Sequence, residues 1–433
     1  MSINVHKIPV RTFAALARGG GGRPAARCLV AAQRSKHILL LRRVVDLAQS
    51  VGHPQADIAR RAYGQLAAVQ DKRPRAAAAV IQYPAVGAWA RQAVDNLSSH
   101  GASGTACLGW LSALAAAAAV RSRIPCSATA PAVDGLAMLP SLGIASAVAG
   151  HVHVRRDGAV VDGTPLPADP SSDATGWQGL RRLSAQAAGK RLELLIDDLD
   201  PYRAPGMDNV GNRLPAAESA RWQSVLDAAW DLLVRCHGTV AEEISTIVRV
   251  LTPLQPPPGG QVSATSRDTF GAVLLSAPTD ACSLAVTMTH EVQHAKLSAL
   301  LDVVPMTMPD DGRRFYAPWR EDPRPVSGLL QGAYAFLGVA GFWLRQSKLA
   351  DGEPALAEFA RWLGAVRLVI NTLGSSGRLT GPGEVFVSGM DHRLRRWEAQ
   401  PIPQAALKAA RQASEEHRER WHQRNGEIPV PVA

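Results

Sequence analysis

From Asp280 to Val304 the chain reads DACSLAVTMTHEVQHAKLSALLDVV, 25 residues without a proline or glycine. Asp280 is a natural N-cap, and the absence of breakers predicts one long helix. His290, Glu291 and His294 stand in the middle of this otherwise apolar stretch. Residues four apart share a helix face one turn apart, so both imidazoles can reach one ion. Glu291 lies about 100° around the axis from His290, placed for a metal-bound water rather than for the metal. Polar groups inside an apolar helix are costly unless they have a partner. The pattern therefore points to metal binding rather than to two unrelated surface histidines.

Spacing alone leaves the metal open. The extended metzincin pattern needs Gly and then His at positions held here by Leu297 and Leu300. The next helix, expected over Val326–Arg345, contains no Asp or Glu, and its polar groups facing such a site are Gln331 and Tyr334. The carboxylates between the two helices (Asp310, Asp311, Glu321, Asp322) sit beside prolines and arginines, as turn formers and surface charges do. Two histidines plus a third group leave three open positions on an octahedral ion. That suits non-haem Fe(II) with a bidentate 2-oxo acid and dioxygen. The distal carboxylate of such an acid needs a cation, and YAPWREDPRP offers Arg320 and Arg324, whose planar forks match it. The same loop also reads as ordinary Arg–Asp surface pairing. A zinc hydrolase with Glu291 as base stays open beside an iron oxygenase.

The rest of the chain predicts an α+β fold, mainly helical, with a zincin-like metal helix beside a small sheet. Residues 1–125 read as a helical N-terminal lobe. Residues 126–215 read as a β-rich middle region, with period-two alternation in ASAVAGHVHV and turns at Asp157-Gly158 and Asp162-Gly163. This middle region is a candidate for binding a leader segment of a peptide. Residues 216–345 form the metal-binding catalytic region, helical from Glu218 through TIVRVL, with QVSATSRDTFGAVLLSAP as one or two strands before the metal helix. Residues 346–433 are C-terminal helices, the last a charged amphipathic helix on the surface. DDLDPYR (Asp197–Arg203) reads as a turn closing a strand, and His37, His151 and His153 as structural residues.

The formal charge of +10 and a pI near 9.8 favour acidic partners. No Lys/Arg run with interleaved aromatics points to nucleic acid, so a solvated basic surface is expected. Five scattered cysteines without a CxxC fit buried free thiols in a reducing compartment. The N-terminal stretch lacks a secretory apolar core. The run Thr105–Val120 is shorter than the ~20 residues of a membrane span. A cytoplasmic protein without membrane or nucleic-acid partners is the expectation.

Several stretches, in order from about residue 12 to residue 390, together resemble one family. They include FAALARGGGG, AAQRSKHILLLRRVVD, YPAVGAWARQA, VSATSRDTFGAVLLS, HEVQHAKLSALLDVVP, RRFYAPWREDPRPVSGLLQGAYAFLGVAGFW and SGRLTGPGEVFVSGM. The family is that of HExxH-motif, 2-oxoglutarate-dependent peptide β-hydroxylases associated with ribosomally synthesised and post-translationally modified peptides. The resemblance implies an Fe(II) enzyme that places a hydroxyl on a side-chain β-carbon of a precursor peptide, leader plus core. Dioxygen and 2-oxoglutarate would be consumed, and succinate and carbon dioxide released. It implies His290 and His294 as metal ligands, Glu291 as the motif carboxylate and Gln331 as candidate third ligand, since relatives carry Gln or His there. Arg320 and Arg324 fall in the family's signature loop. Glu384 stands where relatives more often carry a basic residue. The alternative reading is a zinc metallopeptidase that processes a precursor peptide.

Overall fold

The computed structural model describes residues 6–104, 107–349 and 352–426, and these form a mainly helical α+β fold with small sheets. The first five residues of the N-terminal stretch, and Thr105 and Ala106 at the head of the apolar run, lie outside the described residues. The expected N-terminal helices are α1 (Val10–Ala17), α2 (Gly22–Ser50), α3 (Ala56–Lys72), α4 (Pro74–Ile81), α5 (Pro84–His100) and α6 (Trp110–Ser122). Proline opens α4 and α5, where its missing N–H costs nothing. The run Gly19–Gly22 turns the chain from α1 into α2, and Gly19, Gly21 and Gly22 hold positive φ that a side chain would strain.

The alternating segment folds as eight short strands: β1 (Cys126–Thr129), β2 (Ala132–Val133), β3 (Leu136–Leu139), β4 (Gly143–Ser146), β5 (His151–Val154), β6 (Ala159–Val161), β7 (Thr164–Pro165) and β8 (Trp177–Gly179). They make two antiparallel four-stranded sheets, ordered β1-β5-β6-β7 and β2-β3-β4-β8. The strands β9 (Arg182–Ala187) and β10 (Lys190–Ile196) belong elsewhere. They pair with each other and then with a strand that lies beyond residue 215, so one sheet runs across that boundary.

After the helices α7 (Ala216–Cys236) and α8 (Gly238–Ile247) come β11 (Val250–Pro253), β12 (Ser263–Ala264) and β13 (Ala272–Leu275). The sheet order is β12-β13-β11-β10-β9, parallel for the β10–β11 and β11–β13 pairs and antiparallel at both edges. The expectation that helix runs through TIVRVL is corrected here. Helix stops at Ile247, and Val250–Pro253 is a central strand buried along its whole length. A parallel strand covered on both faces is a short continuous apolar run, which local periodicity cannot tell from buried helix.

That sheet divides two cores. Leu251, Val273 and Leu275 point into a core built with α7, α8 and the helix that carries His290 and His294. Val250, Ala272 and Leu274 point into a second core shared with α3 to α6 and the short sheets. Period-two alternation is thus read by two hydrophobic clusters at once, and α2 runs through both.

Asp280 caps the motif helix α9 (Ala281–Leu301): its carboxylate accepts the Ser283 N–H at 2.9 Å. Beyond it lie α10 (Val326–Gln346), α11 (Gly352–Ser375), α12 (Gly381–Glu398) and α13 (Gln404–Asn425). Among the described residues α10 is the helix long and apolar enough to cross a membrane, but it packs in the first core between α9 and α11. Close approach of α9 and α10 depends on Gly338, since a Cβ there would lie 2.6 Å from Gln293 Cγ. The C-terminal α13 is less superficial than its charge suggests, for Trp421 is buried at its end. Glu384 sits in the first turn of α12, whose N-cap is Thr380, and favours that end of the helix dipole. All five cysteines are unpaired and only half-buried.

Candidate metal centre

The helical spacing brings His290 and His294 together as expected. Their Nε2 atoms are 3.1 Å apart, with the rings edge to face at 4.7 Å. Two nitrogens each about 2.1 Å from one ion would be separated by about that distance. His294 is further oriented from behind. Its Nδ1 faces Gln331 Oε1 at 3.2 Å, while Gln331 Nε2 donates to Ser298 Oγ at 3.2 Å. With its amide oxygen toward His294, Gln331 suits the tautomer in which Nδ1 carries the hydrogen and Nε2 keeps its lone pair. The donor set thus fits a divalent ion: two imidazoles facing one point, one backed at Nδ1 by an amide oxygen.

In this arrangement Gln331 stands behind His294. As a candidate third ligand it would face the Nε2 atoms. It instead contacts the opposite nitrogen of His294, as a supporting residue does. Tyr334, the other polar side chain expected to face the site, faces away, and its hydroxyl donates to Leu16 O at 2.8 Å. Among the described residues no third His, Cys, Asp or Glu joins the pair.

Burial pushes the His290 imidazole down to about 3, helped by the neighbouring His294, so it stays neutral and available as a ligand. Its ring meets Phe336 edge to face at 4.8 Å, and Phe336 stacks on Trp319 at 4.9 Å and on Trp362 at 4.1 Å. Trp319 reaches α10 because residue 332 is glycine; a Cβ there would lie 2.4 Å from the indole nitrogen. This aromatic column ties the loop before α10 to the histidine pair. Nothing in the spacing of WREDPRP foretells it.

Glu291 is buried, at 1% exposure. One carboxylate oxygen accepts from Ser263 Oγ at 2.7 Å, the Thr265 hydroxyl lies near, and Oε2 has no partner. Burial raises its pKa against the lowering by His294 and these two hydroxyls. Ser263 and Thr265 are two apart on an extended segment and so share a face. That alternation was the one sequence signal for Glu291's partners. Their strand, β12, is an edge of the five-stranded sheet.

Arg320 and Arg324 both bind Asp322, at 2.6 and 3.0 Å, on an exposed loop. Neither hydrogen-bonds to His290, Glu291, His294 or Gln331. The surface-pair reading of these residues describes the contacts they make, although Arg324 Nε is buried without a partner. The loop is a narrow hairpin, closed by paired backbone bonds between Phe315 and Arg324.

The back of the metal helix holds a further polar group. Lys296 and Glu243 form an ion pair at 2.8 Å with both side chains 1% exposed. Lys296 Nζ also donates to Gly19 O and Gly20 O, Gln293 Nε2 donates to Gly19 O, and Glu243 accepts from Gly22 N. The glycine run thus latches α9 to α8. Elsewhere the acidic turn is structural: Asp197 accepts from Tyr83 OH and Asp200 N, and Asp198 from Arg213 and Leu214 N. His37 faces Ile81 O at 2.7 Å, and His151 and His153 face threonine and serine hydroxyls across β1.

No protein-family model matches this chain, and no curated protein matches it.

Proposed function

We propose that the chain is an Fe(II)- and 2-oxoglutarate-dependent oxygenase that hydroxylates a side-chain β-carbon in a ribosomally made precursor peptide. The observation that carries this reading is a two-imidazole site, oriented from behind by Gln331, with no third acidic or imidazole ligand among the described residues. Such a site leaves coordination positions for a bidentate keto-acid and for dioxygen. The resemblance of motifs spread over most of the chain supports the same reading.

His290 and His294 would hold the iron, which when bound supplies dioxygen activation coupled to 2-oxoglutarate decarboxylation. Gln331 keeps the His294 lone pair forward. Phe336, Trp319 and Trp362 wall the His290 side with apolar surface and limit water there. Glu291, held by Ser263, positions a group near the centre through its free Oε2. The zincin-like element is a motif helix beside an antiparallel edge strand, and β12 offers that edge to an extended peptide. Arg320 and Arg324 are our candidates for the distal carboxylate, and would exchange Asp322 for it. Free thiols and a ferrous site agree with a cytoplasmic setting.

The second reading, a zinc peptidase acting on a precursor, is favoured by one feature. The buried, partnerless Oε2 of Glu291 suits a base for a metal-bound water. Mass spectrometry separates the two. Incubated with a short peptide encoded beside its gene, the protein is expected to add one oxygen atom only with Fe(II), 2-oxoglutarate and air. Fragments formed without 2-oxoglutarate would reject the oxygenase.

A further inference from the structure

A cavity of about 260 Å³ adjoins the motif helix and shares neither His290, His294 nor Gln331 with the metal centre. Its walls include Arg18, Arg345 and Arg393, the first turn of α8, and the buried side chains of His237 and Gln293. Three features bear on what it takes.

Charge comes first. Arg345 donates to Cys236 O and Arg393 to Arg18 O, both at 3.0 Å, so backbone carbonyls hold these guanidinia in place. Among the described residues no carboxylate pairs with any of the three arginines. The one carboxylate on the wall, Glu243, is already matched by Lys296 and Gly22 N. The cations also oppose one another. Burial lowers the pKa of Arg393, and Arg396 and Arg18 lower it further. His237 is driven down to about 4 by burial and then by Arg345.

The second feature is α8 itself. It begins at Gly238 with no side-chain cap, so the first-turn N–H groups at Thr239 and Val240 meet the cavity at the positive end of the helix dipole. A third, independent feature is His237, only 4% exposed and stacked flat on Phe342 at 4.3 Å, whose Nε2 has no partner. A buried polar atom of this kind is uncommon unless something binds it.

We propose that this cavity binds a compact anion with a phosphate or carboxylate head, held by Arg345, Arg393 and the N–H groups that open α8. The volume lies below the usual range for drug-sized ligands, which restricts the occupant to a few heavy atoms. The inference does not depend on the oxygenase reading. Occupancy would bear on the motif helix directly, because Gln293 on the cavity wall also holds the glycine run through Gly19 O.

Calorimetric titration of the full chain with inorganic phosphate, and separately with succinate, tests it. Saturable binding of one or both is expected, with a dissociation constant below about 1 mM, a modest affinity for a few charged contacts. Phosphate alone would assign a phosphate head, and succinate alone a carboxylate. Combining Arg345→Gln with Arg393→Gln should weaken binding about 100-fold, roughly tenfold for each charge-assisted bond. His294→Ala should leave it unchanged. The ring signals of His237 should shift on saturation in the unmodified protein, a readout that needs no variant to fold. The proposal is overturned if neither anion binds in the millimolar range, if binding survives the double variant, or if it disappears with His294→Ala.

Discussion

Replacing Gln331 by leucine separates a supporting residue from a ligand. Leucine keeps most of the volume but removes the acceptor 3.2 Å from His294 Nδ1 and the donor to Ser298 Oγ. A half-buried imidazole N–H is left without its partner, a loss of about 1–3 kcal/mol. Loss of such an outer contact typically weakens metal binding about 10–100-fold, or about 1.4–2.8 kcal/mol, and the two figures agree. Competition against a chromophoric chelator, with Zn(II) in air and Fe(II) under anaerobic conditions, measures this directly. His294→Ala, which removes a ligand, should weaken binding well beyond that range. Gln331→Glu should tighten it, since a carboxylate accepts more strongly from Nδ1–H. A Gln331→Leu loss as large as that of His294→Ala would mean that the amide coordinates the ion after all. No change would mean that the contact orients nothing.

Other outcomes follow from the same geometry. Lys296→Met should destabilise the protein by about 3–5 kcal/mol in urea unfolding, because it leaves Glu243 buried without its cation; a change under 1 kcal/mol would refute the latch. On the oxygenase reading, Asp322→Asn frees Arg320 and Arg324 and should lower the KM for 2-oxoglutarate; an unchanged KM would remove both arginines from the proposed co-substrate site. Glu291→Gln should leave metal affinity within about tenfold of the parent, since the carboxylate supports the site and is not a ligand; loss of binding would contradict this. For pH, the folded His237 titrates near 4 against 6.5 for an exposed imidazole. The unfolded chain then binds more protons between those values, so stability rises with pH across that window and is lost as pH falls through it. In phosphate-free buffer His237→Phe should reduce that slope by about one proton, and an unaltered slope would assign the effect elsewhere.

The helix Ala281–Leu301, its cap at Asp280 and the convergence of His290 with His294 were legible in the chain. Each depends on residues within one or two turns, where helical geometry alone sets the distances. The acidic turn at Asp197 and the strands around His151 were legible for the same reason. The central strand Val250–Pro253 was not, because its conformation comes from partners at Leu195 and Ala272 rather than from its own residues. The role of Gln331 was also out of reach. Whether its amide meets Nε2 or Nδ1 of a histidine 37 residues away depends on how α10 slides along α9. The close approach of Gly338 to Gln293 bears on that register. Sequence by itself therefore determined which two imidazoles converge on one face of the helix. Only the packing of helix on helix decided what stands behind them, since such contacts are set by the close fit of surfaces distant in the chain.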